Sequence, residues 1–271
     1  MTSQKRIGLA RVLSKLGYCS RSQAALLIGE GRVRVNGKVA RDPEQAVRSP
    51  QARIEVDGSP LLKASPIYLV MNKPRGVVTT ASDEKDRATV YDLLDPELPW
   101  VGPVGRLDKA SEGLLLLTND SEWSAKITAP SSHLDKTYHV QVDCVADADL
   151  LARITLTQVS AQRTGANPST SSGQAPGHSS NNRTAKGSDD DLRAKNARLL
   201  RHGDKNSWIE VTLDEGKNRQ IRRLLESVNV GVLRLVRVSI GPLELGDLKK
   251  GAVRRLTSEE KRAIDRALTV S

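Results

Sequence analysis

The chain has 271 residues, with 42 Lys and Arg against 32 Asp and Glu. The net charge of +10 indicates a polyanionic partner, and no apolar run approaches the roughly 20 residues that a membrane span needs. Two cysteines and four histidines without ligand spacing indicate neither a disulfide framework nor a metal site. We therefore expect a soluble cytoplasmic protein without a metal site and without contact to a membrane. We also expect it to be a monomer and to use no cofactor.

The first 60 residues are the most basic part of the chain, with 11 Lys and Arg against 5 Asp and Glu. Apolar spacing predicts a helix over residues 6–16, and Ser20 is a suitable N-cap for a second helix. Alternating strands are predicted over 32–35 and 53–56, and an Asn-Gly pair after the first is typical of a hairpin turn. The pattern indicates a small α/β unit with a basic surface.

This unit resembles a known RNA-binding module. The segment SRSQAALLIGEGRVRVNGKV is similar to the alpha-L module of a small-subunit ribosomal protein, and the similarity extends over about residues 5–58. It implies an RNA-binding domain over residues 1–60; the alternative for its basic side chains is an ordinary solvated helix face. The candidate RNA contacts are Arg11, Lys15, Arg21, Arg32 and Arg34.

In the rest of the chain the pattern predicts short strands interleaved with few helices, which indicates an α+β domain over residues 65–271. Strands are predicted over 67–71, 114–118, 136–142, 208–213, 233–240 and 251–256, and helices over 88–94, 121–127, 219–227 and 258–268. Ser121 is expected to cap the second of these helices. The four leucines and Thr118 form a run that is typical of a strand buried on both faces.

One stretch interrupts this domain. Residues 164–188 are rich in Ser, Thr, Gly and Asn and contain no large aliphatic or aromatic side chain, so they bury too little apolar area to offset the entropy of ordering. We expect a flexible surface insertion over about residues 161–197.

An acidic residue in the loop before the buried strand is the main candidate for chemistry. Asp108 follows Arg106 by two positions, and residues 217–223 supply further cations. A lone carboxylate in a loop is usually a turn or cap residue. A carboxylate beside a guanidinium, however, stays ionised, as a nucleophile must.

Four motifs carry a second, stronger resemblance. In chain order they are MNKPRGV near the start of the domain, VGRLDKASEGLLLLTND, the K-x-Y strand at Lys136-Thr137-Tyr138, and GKNRQIRRL. Together they resemble the RsuA/RluB family of ribosomal RNA pseudouridine synthases. The resemblance implies the pseudouridine synthase fold, with a mixed, mainly antiparallel central sheet. It also implies a cofactor-free isomerase that breaks the C1′–N1 bond of a uridine and rejoins C1′ to C5.

The resemblance implies roles for individual residues. Asp108 is the essential carboxylate, which attacks C1′, assists a glycal route or attacks C6, and the sequence does not choose among these. Tyr138 is expected to stack on the uracil, Arg222 to pair with Asp108, and Arg106 to help expel the target base from its stack. Further substrate contacts are expected from Lys73, Arg75, Lys217, Arg219 and Arg223.

The predicted partner is ribosomal RNA, either free or in an assembling subunit. One alternative is a non-catalytic RNA-binding or ribosome-assembly protein that keeps the fold, but intact Asp108, Tyr138 and Arg222 argue against it. Another is a pseudouridine synthase that acts on transfer RNA. The N-terminal module and the LLLLTND form favour ribosomal RNA.

Overall fold

The computed structural model describes residues 6–48, 52–80, 85–156, 192–217 and 219–269. A four-stranded sheet lies in the first part of the chain and a nine-stranded sheet in the remainder. Within the described ranges, no helix combines the length and the apolar character that crossing a membrane requires.

The N-terminal region consists of short elements around a core of its own, in which Leu13, Ile28 and Val33 are fully buried. Its strands pair antiparallel in the order β3-β2-β5-β6, and β1 pairs with β4. In chain order the elements are β1 (Ile7–Gly8), α1 (Leu9–Lys15), α2 (Arg21–Gly29), β2 (Val33–Val35), β3 (Lys38–Ala40), β4 (Ala46–Val47), β5 (Ile54–Val56) and β6 (Ser59–Pro60).

Local sequence signals explain the ends of these elements. Ser20 caps α2 as predicted: its hydroxyl accepts from the Gln23 backbone N–H at 3.1 Å, and the Gln23 side chain accepts from the Ser20 N–H at 3.1 Å. Asn36 and Gly37 both have positive φ, 51° and 79°, as a tight hairpin turn requires. The first helix starts later than predicted because Ile7 pairs with a strand.

The second region is built on the nine-stranded sheet, whose main order is β11-β12-β10-β13-β9-β7-β15. Every pair is antiparallel except β9 with β13, so the expected mixed, mainly antiparallel sheet is confirmed. In chain order the elements are β7 (Tyr68–Lys73), β8 (Gly102–Val104), β9 (Glu112–Thr118), α3 (Ser121–Thr128), β10 (Lys136–Val142), α4 (Ala148–Leu156), β11 (Asn196–His202), β12 (Ser207–Leu213), α5 (Gln220–Ser227), β13 (Val232–Ile240), β14 (Leu243–Glu244), β15 (Val253–Arg255) and α6 (Ser258–Thr269).

Strand β9 separates two apolar cores, and all seven of its residues are buried. Leu115 and Leu117 belong to a core that also contains residues of α4 and α5. Leu114 and Leu116 belong to a second core, which contains residues of α3 and α6. The four-leucine run is therefore a strand with apolar layers on both faces, as predicted.

Two local predictions are wrong. Helix α3 is capped by Asp120 rather than Ser121, because the Asp120 carboxylate accepts from the Glu122 and Trp123 backbone N–H groups at 3.1 and 3.0 Å. Residues 88–94 form only a short 3₁₀ turn, Val90–Leu93, after Thr89.

The structure describes the last part of the predicted insertion over 161–197. Residues 157–191 are not described, but Leu192 and Ala194 are buried and β11 begins at Asn196. The Ala194 N–H donates to the Ile154 carbonyl at 3.0 Å. The prediction is therefore wrong for residues 192–197, which the two apolar side chains anchor to the core.

Candidate active site

A cavity of about 630 Å³ lies beside the loop that precedes β9. Its walls come from that loop, the end of α3, strands β10, β12 and β13, and the start of α5. Five of the residues predicted from sequence line it together: Arg106, Asp108, Tyr138, Lys217 and Arg219. The cavity thus unites a carboxylate, an aromatic ring and several cations.

Hydrogen bonds fix the backbone of the Asp108 loop along its whole length. Five consecutive carbonyls accept from side chains or backbone of other segments. The pairs are Leu107 with the Thr79 hydroxyl at 2.7 Å, Asp108 with Lys73 Nζ at 3.2 Å, Lys109 with the Gly76 N–H at 2.8 Å, Ala110 with Arg222 Nη2 at 3.2 Å, and Ser111 with Lys73 Nζ at 2.9 Å. Such a loop holds its side chains in one place, which a catalytic group requires.

The Asp108 side chain itself is left available. Asp108 is half-buried at the cavity wall, and its carboxylate has no hydrogen-bond or ion-pair partner among the residues that the structure describes. The backbone is held while the oxygens remain unengaged, which suits a group that must react.

Lys73 has a different place from the one predicted. Its side chain has no exposed surface, and Nζ donates to the carbonyls of Pro74, Asp108 and Ser111. Burial lowers the pKa of Lys73 to about 8, although Asp108 and Glu112 oppose the shift. The prediction of a phosphate contact is wrong, because the ammonium is enclosed by protein.

Arg222 also acts differently from the prediction. It forms no ion pair with Asp108 and instead donates from Nη2 to the Ala110 carbonyl at 3.2 Å and from Nη1 to Val232 at 3.4 Å. Burial lowers the pKa of Arg222, and Arg219 lowers it further, whereas the Asp108 charge raises it. Arg222 therefore positions the Asp108 loop and influences the carboxylate only at a distance.

The alternation of β10 explains the K-x-Y motif. Lys136 and Tyr138 lie two residues apart, on the same side of the strand, and both line the cavity. Burial lowers the pKa of Lys136, and the Arg237 charge contributes to the shift. Tyr138 is opposite Val211 on β12 and Arg237 on β13, and its side chain is largely buried.

Sequence reasoning missed Arg237, which lines the same cavity and is only 4% exposed. Its Nε donates to the Leu114 carbonyl at 2.7 Å. The signal was present in the sequence: strand alternation places Arg237 on the same face as the buried Leu235, where a charge is unusual.

The remaining predicted contacts lie outside this cavity. Arg75 is exposed and Arg223 half-buried, and Arg11 and Arg21 are exposed on the N-terminal region. Three other basic side chains of that region have protein partners: Lys15 pairs with Glu122 of α3 at 2.7 Å, Arg32 with Asp57 at 2.7 Å, and Arg34 donates to the Gly37 carbonyl at 3.1 Å.

Two protein families match separate parts of this chain. The family described as RNA pseudouridylate synthase matches residues 67–227, which include every residue named above at the cavity except Arg237 of β13. The S4 domain family matches residues 7–54, the N-terminal region.

Several whole proteins are similar over nearly their full length. The chain is 34% identical over 254 residues to a ribosomal large subunit pseudouridine synthase B of Bacillus subtilis, with 93% of each chain covered. It is 35% identical to an uncharacterized RNA pseudouridine synthase of Rickettsia bellii, with 93% of this chain and 97% of the relative covered. A crystal structure of a pseudouridylate synthase superposes with a TM-score of 0.59 at 26% identity, covering 95% of this chain and 99% of that one.

Proposed function

The chain belongs to the RNA pseudouridylate synthase family and carries an S4 domain, and we propose that it isomerises a specific uridine of ribosomal RNA with Asp108 as the nucleophile. The supporting observation is the environment of Asp108. Its backbone is fixed from both sides, its carboxylate has no partner among the described residues, and it shares a cavity with Tyr138.

The reaction breaks the C1′–N1 bond, turns the uracil within the site and joins C1′ to C5, while C5 loses its proton and N1 gains one. A carboxylate at Asp108 attacks C1′, promotes a glycal or adds to C6; each route needs an ionised, unengaged acid held close to the nucleotide. Tyr138 provides a flat surface on which the uracil stacks while it is detached. Arg106 is exposed at the cavity rim and helps to hold the nucleotide outside its helix.

The proposed substrate is the RNA of the large ribosomal subunit. The Bacillus relative is named for that subunit, and the exposed Arg11 and Arg21 of the S4 region supply cations for phosphates. Mapping pseudouridine in both ribosomal RNAs and in transfer RNA, from cells with and without the gene, tests this choice. A site lost from transfer RNA alone would contradict it. The cytoplasmic location and the monomeric state of the protein stay predictions.

The nucleophile is tested by Asp108→Asn, which keeps the size of the side chain and removes its charge. We expect no detectable pseudouridine, with an unchanged melting temperature and RNA affinity within about threefold of the wild type. Asp247→Asn, at an exposed position outside the cavity, is the matched control and should retain full activity. Full activity in the Asp108 variant would contradict the assignment of Asp108 as the nucleophile. No activity in the wild type would favour the non-catalytic alternative.

A further inference from the structure

Arg237 is buried with most of its hydrogen-bonding capacity unused. Of its guanidinium nitrogens, only Nε has an acceptor among the residues that the structure describes, and Nη2 is buried without a partner. Enclosing unpaired donors of a charged group is costly, so such an arrangement needs an explanation. Since the residue lines the cavity, a molecule bound there is in a position to supply the missing acceptor.

The fold places Arg237 between the strand that follows the Asp108 loop and the strand that carries Tyr138, and all three residues line the cavity. On one side, β13 runs parallel to β9 with Arg237 opposite Gly113, shortly after the Asp108 loop. A Cβ at Gly113 would lie 2.2 Å from the Arg237 carbonyl oxygen, so the two backbones touch there. On the other side, Tyr138 is the cross-strand neighbour of Arg237. A base stacked on Tyr138 is therefore next to the guanidinium.

Chemistry limits what the acceptor is. A guanidinium only donates, and none of the three carboxylates that line the cavity, Asp108, Asp214 and Glu215, forms an ion pair with it. The acceptor is therefore sought on the nucleotide. Next to Tyr138 those acceptors are the O2 and O4 carbonyls of the uracil. When C1′–N1 breaks, the electron pair stays on N1 and the negative charge spreads to O2 and O4. In the C6 route the same charge develops at C5 and O4.

We propose that Arg237 is a catalytic residue that binds a uracil carbonyl oxygen and stabilises the negative charge that the base acquires, either when C1′–N1 breaks or when Asp108 adds to C6. The assignment rests on the proposed function and is independent of the route, because all three routes place electrons on the uracil. Fixed donors directed at a developing charge in an enclosed site are a major source of catalysis. Lys136, on the same side of β10 as Tyr138, adds a second positive charge nearby.

The test compares Arg237→Met with Arg234→Met. Arg234 lies on the same strand but outside the cavity, where it pairs with Glu112 at 3.0 Å. In single-turnover experiments we expect Arg237→Met to be slower by about 100-fold, with RNA affinity unchanged within about threefold. Arg234→Met should keep the wild-type rate. A rate near that of the wild type in a folded Arg237→Met protein would overturn the proposal.

A second substrate separates catalysis from structure. Fluorine at C5 withdraws electrons, so RNA with 5-fluorouridine at the target site needs less help in forming the base anion. Cleavage of its C1′–N1 bond is followed by nucleoside chromatography. The factor by which Arg237→Met slows this cleavage should be at least about 10-fold smaller than the factor by which it slows cleavage at uridine. An equal loss on both substrates would mean a structural role and contradict the proposal.

A measurement on the unmodified protein covers the case in which the variant fails to fold. Target RNA with an abasic residue leaves the base site empty, and free pyrimidines can then be titrated into the complex. Barbiturate, which is anionic at neutral pH, should bind at least about 10-fold more tightly than uracil. Equal affinities would contradict the proposal. Pseudouridine formation by the wild type is measured alongside, so that failure of the proposed function is recognised separately.

Discussion

Among the residues that the structure describes, Lys73 is the largest side chain without exposed surface, and its ammonium donates to two carbonyls of the Asp108 loop. Because its pKa is about 8 when folded and about 10.5 when unfolded, the unfolded chain binds more protons between these values. Stability should therefore rise with pH across that window. Below pH 8 both states are charged and the cost of burying the charge is present in full.

We predict that Lys73→Met removes this pH dependence. Between pH 8 and 10.5 the wild type should gain roughly 3 kcal/mol in free energy of unfolding relative to the variant, as the pKa shift implies. Urea unfolding at the two pH values measures the difference. Lys126→Met, at an exposed helix position, is the control and should follow the wild type. Parallel curves for the wild type and Lys73→Met would contradict the prediction.

At the scale of single residues, the sequence predicts which residues lie at the site better than it predicts the contacts that they make. Asp108 and Tyr138 stand out because motifs surround them, and the structure places both in one cavity. The engagement of Lys73 and Arg222 was not predictable, because burial of a long cation depends on chain segments far away in sequence. Arg237 could have been found from strand alternation alone.

Among the elements, the parallel contact of β9 with β13 depends on one glycine. Gly113 has a φ of 102°, and a Cβ there would lie 2.2 Å from the Arg237 carbonyl oxygen. Gly76 has a similar φ of 95° but no atom within 4 Å of the place where a Cβ would be. The two positions therefore separate backbone strain from steric overlap.

We predict that Gly113→Ala lowers the free energy of unfolding by more than about 3 kcal/mol, because two strands must move apart. Gly76→Ala should cost only about 1 to 2 kcal/mol from backbone strain. Urea unfolding measures both. Similar losses in the two variants would show that the close approach contributes little.

Periodicity identifies elements where one face is apolar and fails where it is not. Strand β10 and helix α6 follow their predicted ranges closely, since each alternates or repeats with a buried face. Edge strand β11 has no buried residue, so its sequence carries no such pattern. No strand was predicted there, and only Asn196 and Ala197 of β11 fall within the expected insertion.

On the scale of the whole molecule, the S4 region and the catalytic region are in contact at α1 and α3. Lys15 pairs with Glu122, and the Ala64 N–H donates to the Leu16 carbonyl at 2.9 Å. Lys15 is thus already engaged, whereas Arg11 and Arg21 remain exposed. The two arginines are the better candidates for RNA contacts.

We predict that replacing Arg11 and Arg21 together by Gln weakens RNA binding and makes it less dependent on salt. The slope of log affinity against log salt should become shallower by about 1 to 2, while the rate at saturating RNA stays unchanged. Replacing Arg262 and Arg266 of α6 by Gln makes the same charge change elsewhere and is the control. Equal effects in both variants would mean that only net charge matters.

Asn119 lies at the junction of the two regions, where its side chain accepts from the Ile67 N–H at 2.8 Å and donates to the Ser65 carbonyl at 3.0 Å. Gly17 of the S4 region packs closely against it. The chain is therefore tied down just where it passes from one region to the next. In the proposed function, this junction sets the distance between Arg11 and Arg21 on one side and Asp108 on the other, and with it the number of nucleotides between the RNA that the arginines contact and the uridine that is modified.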